Sequence, residues 1–301
     1  SVFEIPSSNT VMAIITFAIV VTFIISAISG LQKGIARLSN INAQVFILCL
    51  VFVFIFGPTS YILSIGFDGL IDYLTNFVAR SLNTYTGPED NWPQLWTVFY
   101  WANWYAWAPV TALFLGRIAR GYTVRQFIIV NLVLPASFAM FWMTTFAGTA
   151  MRLDQLTNGS LHQSMQDKGV ESVVFTLFDN LPLASITTVV FIGITFISYV
   201  TAADSNTDAM SNLCAVNNEA NDDENTNSNM PLKFIWGITI GVIAWVMVSF
   251  ASIEGIKMMS NLGGLPAMFI IIGINIALFK LIHHVWSGHS LEPESPTNTN
   301  Q

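Results

Sequence analysis

Apolar residues run through this chain in blocks of membrane length, divided by shorter polar stretches that hold most of its charge. A helix rises 1.5 Å per residue, so roughly 20 apolar residues cross the ~30 Å hydrocarbon layer of a bilayer. Seven such blocks stand out: residues 11–29, 43–65, a Trp-rich stretch starting at Trp92, then 126–150, 183–203, 232–253 and 262–282. Gly57-Pro58 lies near the far end of the second, Asn131 and Pro135 inside the fourth, and Gly263-Gly264 with Pro266 soften the seventh. Residues 67–82 follow another pattern. Phe67, Leu70, Ile71, Leu74, Phe77 and Val78 keep the three-and-four spacing of one helix face, while Asp68, Asp72, Asn76 and Arg80 take the other. This predicts a helix lying on the membrane surface or against a neighbouring subunit, not a span.

The connections follow from what they cannot bury. Residues 33–42 read as a short polar-faced helix, 84–91 with Gly87-Pro88 as a loop, and 152–180 as a polar loop with an amphipathic piece at 173–178. Residues 214–230, rich in Asn, Asp and Glu, read as a disordered cytoplasmic linker, and 283–301 as a disordered tail. The expected organisation is one transmembrane domain over residues 1–282 followed by that tail.

Composition agrees with the pattern. Hydrophobic residues make up 53% and charged residues 10%, with a mean hydropathy of +0.59, whereas soluble domains average about 25% charged. The fold class expected is all-α, a polytopic transmembrane helical bundle in the lipid bilayer. The net charge of −7 gathers around residues 222–224, in a few loops and in the tail, and no basic patch suits nucleic acid. Cys49 and Cys214 lack metal-ligand spacing and read as structural thiols. If the spans alternate, Lys33, Arg37, Arg117, Arg120, Arg125, Lys233 and Lys280 fall on one side, against Arg80, Arg152, Lys168 and Lys257 on the other. The positive-inside rule then places the amino end outside the plasma (inner) membrane and the carboxyl tail in the cytoplasm.

A membrane-embedded enzyme or proton pump needs converging ionisable groups inside the bilayer. His162, His283, His284 and His289 lie outside the spans, and Asp204 and Glu254 sit at span ends. The expectation is no enzyme and no cofactor, with Asp204 an interfacial cap and His283-His284 a mark of the cytoplasmic interface.

Chemistry concentrates in the third block. Trp92, Trp96, Trp101, Trp104 and Trp107 are five of the nine tryptophans. Trp101, Trp104 and Trp107 climb a helix as a slowly drifting ridge, and Pro109 removes a backbone hydrogen bond just beyond it, which favours a kink or unwound turn. Trp92 and Trp96 suit an interfacial belt. The deeper three serve either packing or binding on pattern alone. Aromatic faces suit a cationic head that has no hydrogen to donate, at roughly 0.5–2 kcal/mol per well-placed ring.

The segment WTVFYWANWYAWAPV followed by GRIARGYTVRQF resembles the betaine/choline/carnitine transporters, whose helix reads roughly WTVFYWAWWISWAPF and then ARISRGRTIREF. SGLQKGIARLSNIN is similar to the family's SGLDKGIKxLSNxN, and VTAADSNT to its TSADS, so in-order matches run from about Ser29 to Asp204. The resemblance implies an inverted-repeat, LeuT-like fold, of which this chain holds the last two helices of the first repeat and all five of the second. It implies a substrate site at the midplane between repeats, and a homotrimer in which residues 67–82 are the curved surface helix. The remaining box aromatics and sodium ligands of the family belong to earlier helices, and the chain is expected to be a fragment or truncated product.

Residue by residue, the resemblance makes Trp104 part of the substrate box and Trp107 and Phe114 the lining of the cytoplasmic exit path. Trp101 also matches a family tryptophan. Asn103 replaces the first Trp of the family's WW and supplies an amide, which suits a smaller or more polar ligand. Thr201 keeps a hydroxyl of the sodium-coupled TSADS motif, whereas Ala202 lacks the second, so a sodium coupling ion rests on Thr201. The implied function is secondary transport of a quaternary-ammonium or related zwitterion, such as glycine betaine, choline, carnitine or a sulfonium analogue. The alternatives are a membrane sensor that binds without cycling and a structural membrane protein.

Overall fold

The computed structural model describes residues 8–28, 32–82, 91–214 and 230–287, and every regular element among them is helical. In order these are α1 (Asn9–Ile28), α2 (Gln32–Phe56), α3 (Thr59–Leu82), α4 (Trp92–Ile118) and α5 (Val124–Ile128). A π-helical turn, Ile129–Val133, leads into α6 (Leu134–Leu156), followed by α7 (Ser160–Lys168), a 3-10 turn at Val170–Ser172, and α8 (Val173–Asp179). After α9 (Ala184–Cys214) come α10 (Met230–Val246), a second π turn at Met247–Ala251, and α11 (Ser252–Trp286). The loop expected at 84–91 lies, but for Asn91, outside the described residues, as do the linker from 215 to 229 and the tail from 288.

Among the described residues, six helices are long and apolar enough to cross a membrane: Arg37–Phe56, Thr59–Leu82, Val124–Leu156, Ala184–Ser211, Met230–Phe250 and Asn261–Trp286, with Asn9–Ile25 a shorter apolar helix. Several boundaries differ from the sequence pattern. The fifth span, expected to end at 203, runs on as α9 to Cys214, so Asp204 lies within the helix and does not cap its end. The polar-faced segment at 33–42 is the first part of α2 and not a separate helix. The second span stops at Phe56, because Gly57-Pro58 ends α2, and α3 starts at Thr59 instead of 67. By length and composition α3 could therefore span. The stretch 254–261, between the last two expected spans, continues helical into α11. Where α5 meets α6, Pro135 stands in the first turn of α6 just after the π turn, so the amide it lacks is absorbed by the widened ring.

The residues group into two compact units, Ser1–Thr84 with Leu113–Ser252, and Tyr85–Ala112 with Ile253–Gln301. In the first, α1 packs antiparallel on α10 and also against α9. Gly237 and Gly241, one turn apart, bring the backbones together: a Cβ at Gly237 would stand 2.8 Å from Ile24 Cγ1, and one at Gly241 would collide with Val20 Cγ2. Small residues at such a crossing let van der Waals packing hold helices together where lipid offers no hydrophobic drive. Phe23, Ile24 and Val200 are buried beside it. A second core, Val53, Leu161, Leu177, Phe178 and Leu181, seats α7 and α8 on α2, α6 and α9. Part of the segment expected to be a polar loop is thus the helix α7, whose first turn is capped by the Asp154 carboxylate accepting from the Leu161 and His162 amides at 2.9 and 3.0 Å.

If the Gly241 crossing holds α1 to α10, Gly241→Leu forces overpacking worth ~1–3 kcal/mol and lowers the melting temperature of the detergent-purified protein. Gly193→Ala, where an added Cβ meets open space, serves as the control and leaves that temperature unchanged or slightly raised.

Candidate functional site

The Trp-rich stretch forms α4, 27 residues that reach about 40 Å at 1.5 Å per residue. Pro93 fits its first turn, where an amide would be unpaired anyway, and the Thr97 hydroxyl donates to the Pro93 carbonyl at 2.7 Å. The helix is long enough to cross a bilayer, yet it is absent from the six apolar spans because Trp, Tyr, Asn and Gln lower its hydropathy. Pro109 lies inside a helix assigned without a break, so the unwound turn expected there does not form.

What orients α4 in the second unit is a glycine. A Cβ at Gly264 of α11 would collide with the Ala102 carbonyl oxygen and come within 2.7 Å of Ala102 Cβ, while one at Gly263 would sit 3.5 Å from Ala106 Cβ. Ala102 and Ala106, one turn apart, therefore face α11. At about 100° per residue, Trp104 points about 180° away from that seam, with Tyr100 and Trp107 beside it and Trp101 displaced by about 60°. Burial follows this geometry: Trp101, Trp104 and Trp107 are 53%, 56% and 49% exposed, whereas Asn103, on the flank, is half-buried. Phe114, also half-buried, stands seven residues beyond Trp107 on the same helix, in the first unit.

The aromatic rings form contacts along the helix. Trp92 meets Trp96 at 5.8 Å between centroids, Trp96 meets Phe99 at 5.7 Å, Tyr100 meets Trp104 edge-on at 6.2 Å, and Trp101 tilts over Tyr105 at 5.7 Å. A shallow open groove of about 270 Å³ is lined by Trp92, Trp96, Thr97, Tyr100 and Trp101. The structure thus brings Trp101 to a concavity but leaves Trp104 and Trp107 on an uncovered aromatic face one to two turns further on.

Thr201 sits within α9, where its hydroxyl donates to the Ile197 and Ser198 carbonyls at 3.0 and 3.1 Å. The oxygen's lone pairs stay free for a cation, but the helix around it is unbroken, so backbone carbonyls there are already engaged. Ala202 adds no ligand. Among the described residues, no three His, Cys, Asp or Glu side chains gather as metal ligands.

Two polar pairs escaped the sequence reading. Asn42 of α2, buried, donates its amide to Ser198 Oγ at 2.8 Å, with Asn42 Oδ1 buried and unpartnered. Lys233 of α10, 9% exposed, holds the Asp208 carboxylate at 2.7 Å. The available signal was an acidic pair four apart, Asp204 and Asp208, preceding a helix whose one charge is a lysine.

Comparison with known proteins agrees with the motifs. The profile of BCCT, the betaine/carnitine/choline family transporters, matches residues 1–286. An ectoine/hydroxyectoine transporter of Virgibacillus pantothenticus is 34% identical over 274 residues, 90% of this chain and 53% of the relative. The glycine betaine transporter OpuD of Bacillus subtilis is 30% identical over 92% of this chain and 52% of its own length. The high-affinity choline transport protein of Escherichia coli is 30% identical over 92% of this chain and 40% of its own. The chain spans about half the length of the curated relatives it matches.

The Gly264 contact makes a separable prediction about the face the tryptophans present. Gly264→Ala lowers the melting temperature of the detergent-purified protein by an overpacking cost of ~1–3 kcal/mol. Gly263→Ala, at ordinary contact distance, does not. Equal melting temperatures for the two variants would remove this crossing as the element that orients α4.

Proposed function

This chain belongs to the betaine/carnitine/choline family of transporters, multi-pass membrane proteins and not enzymes, and from that membership we propose that it carries out secondary transport of a quaternary-ammonium or related zwitterionic osmolyte. The observation that carries this reading is the aromatic face of α4, turned away from its seam with α11 and free to meet a ligand. A trimethylammonium head spreads its charge over methyl groups and offers no N–H, so ring faces attract it without a carboxylate and release it readily. Trp104 is the box residue, Trp107 and Phe114 line the path beyond it, and Trp101 shapes the approach. Asn103, half-buried beside the rings, adds an amide and favours a polar member of the substrate class.

Sodium is the co-transported ion in this reading, with Thr201 Oγ1 as one ligand, supported by its free lone pairs. The amino side of the chain lies outside and the carboxyl tail in the cytoplasm, which the clustering of Lys and Arg supports. In α3, residues 67–82 keep their apolar stripe, Phe67, Leu70, Ile71, Leu74, Phe77 and Val78, exposed. We read that stripe as the subunit contact of a homotrimer.

Uptake of labelled glycine betaine by the full-length protein in proteoliposomes tests the reading. Trp104→Ala loses one cation–π partner of ~1–2 kcal/mol, which weakens binding roughly 5–30-fold. Unchanged affinity removes Trp104 from the site. Asn103→Trp tightens trimethylammonium binding if that position borders the path. Thr201→Ala abolishes stimulation by a sodium gradient, and stimulation that persists excludes Thr201 as a ligand. Saturable tryptophan quenching without uptake would identify a sensor instead of a carrier.

A further inference from the structure

The second half of α9 buries a polar stripe. Val200, Asp204, Thr207, Asp208 and Ser211 share one face by helical spacing, and Val200, Thr207 and Ser211 are buried on it. Asp208 is held by Lys233 at 2.7 Å. Asp204, half-buried, lies within electrostatic reach of both Lys233 and Asp208, but among the described residues it has no hydrogen bond or ion pair of its own. Two carboxylates therefore face one buried ammonium. Thr207 is fully buried and its hydroxyl finds no hydrogen-bond partner. It stands one turn from Asp204 on the same stripe, and its oxygen is the acceptor a protonated carboxyl requires.

Among the described residues, no second cation pairs with Asp204. Packed against α9 are α1, α2, α8 and α10. Among their described residues α1 has no charged side chain, α8 contributes only Asp179 near the opposite end of α9, and α10 contributes only Lys233. In α2, Arg37 is exposed with no ion pair to Asp204, and the Lys33 side chain lies outside the described residues. A half-buried carboxylate without a partner carries part of the desolvation cost of its charge, and taking up a proton removes that cost.

We propose that Asp204, Asp208, Thr207 and Lys233 form a proton-binding site, separate from the Thr201 position, in which Asp204 holds an exchangeable proton while Asp208 keeps the ammonium. On release the proton passes from a carboxyl oxygen to water, and the α9–α10 joint gains one negative charge. The consequence for activity, that uptake varies with pH through Asp204, rests on the transporter reading; the binding site itself does not.

Infrared difference spectroscopy of the full-length protein, titrated with pH, reads the C=O stretch of a protonated carboxyl directly. The wild type gives a titrating component that is lost in Asp204→Asn. Asp208→Asn loses the same component although Asp204 is intact, because Lys233 is then free to pair with Asp204 as a carboxylate. Thr207→Val keeps the component and shifts its frequency. A wild-type spectrum without the component, or its survival in Asp204→Asn or Asp208→Asn, overturns the proposal. Because the readout needs no solute flux, a protein that fails to carry betaine but gives this pattern refutes the transport reading alone.

Discussion

Inside a bilayer no water is available to pair with exposed backbone groups, so each helix must satisfy its own. That constraint organises this chain down to its side chains. Along α9 the hydroxyls of Thr187, Thr195, Ser198, Thr201, Ser205 and Ser211 each return to a carbonyl one turn back. It also explains why Pro109 and Pro266 lie within helices that stay continuous. With the backbone hydrogen bonding closed inside each helix, close fit at glycines joins helices, beside the Asn42–Ser198 and Lys233–Asp208 contacts. Gly237, Gly241 and Gly264 each stand where any side chain would strike a neighbour.

The aromatic face of α4 is a consequence of that fit. Because Ala102 and Ala106 are consumed by the crossing with α11, the bulky rings are left on the other sides of the helix. Small residues on one face and tryptophans on the rest divide the helix into a part that packs and a part that stays exposed. Asn103 lies on the boundary, half-buried, which is where an amide can serve either purpose.

Charge is handled in two ways. At the far end of α3, Asp72 and Arg80 pair at 2.8 Å on an exposed surface, an arrangement worth little in itself. Between α9 and α10, the buried Lys233 pairs with the half-buried Asp208, so removing the carboxylate would leave the ammonium without this partner.

The all-helical membrane class was legible in the residues alone, because apolar block length is a local property. The motifs around Trp104 and near Asp204 placed the family, which the profile match over residues 1–286 establishes. Helix ends were less legible: Gly57-Pro58 divided a run that hydropathy treats as one, and α7 needed Leu161 in the core beneath it to be more than a polar loop. Tertiary structure alone decided that Trp104 points away from the crossing at Ala102, that Asn42 bonds Ser198 across 156 positions, and that Lys233 meets Asp208. Periodicity assigns a residue to a face, but which neighbour covers that face depends on backbone approach distances, and those are set by the packed helices together.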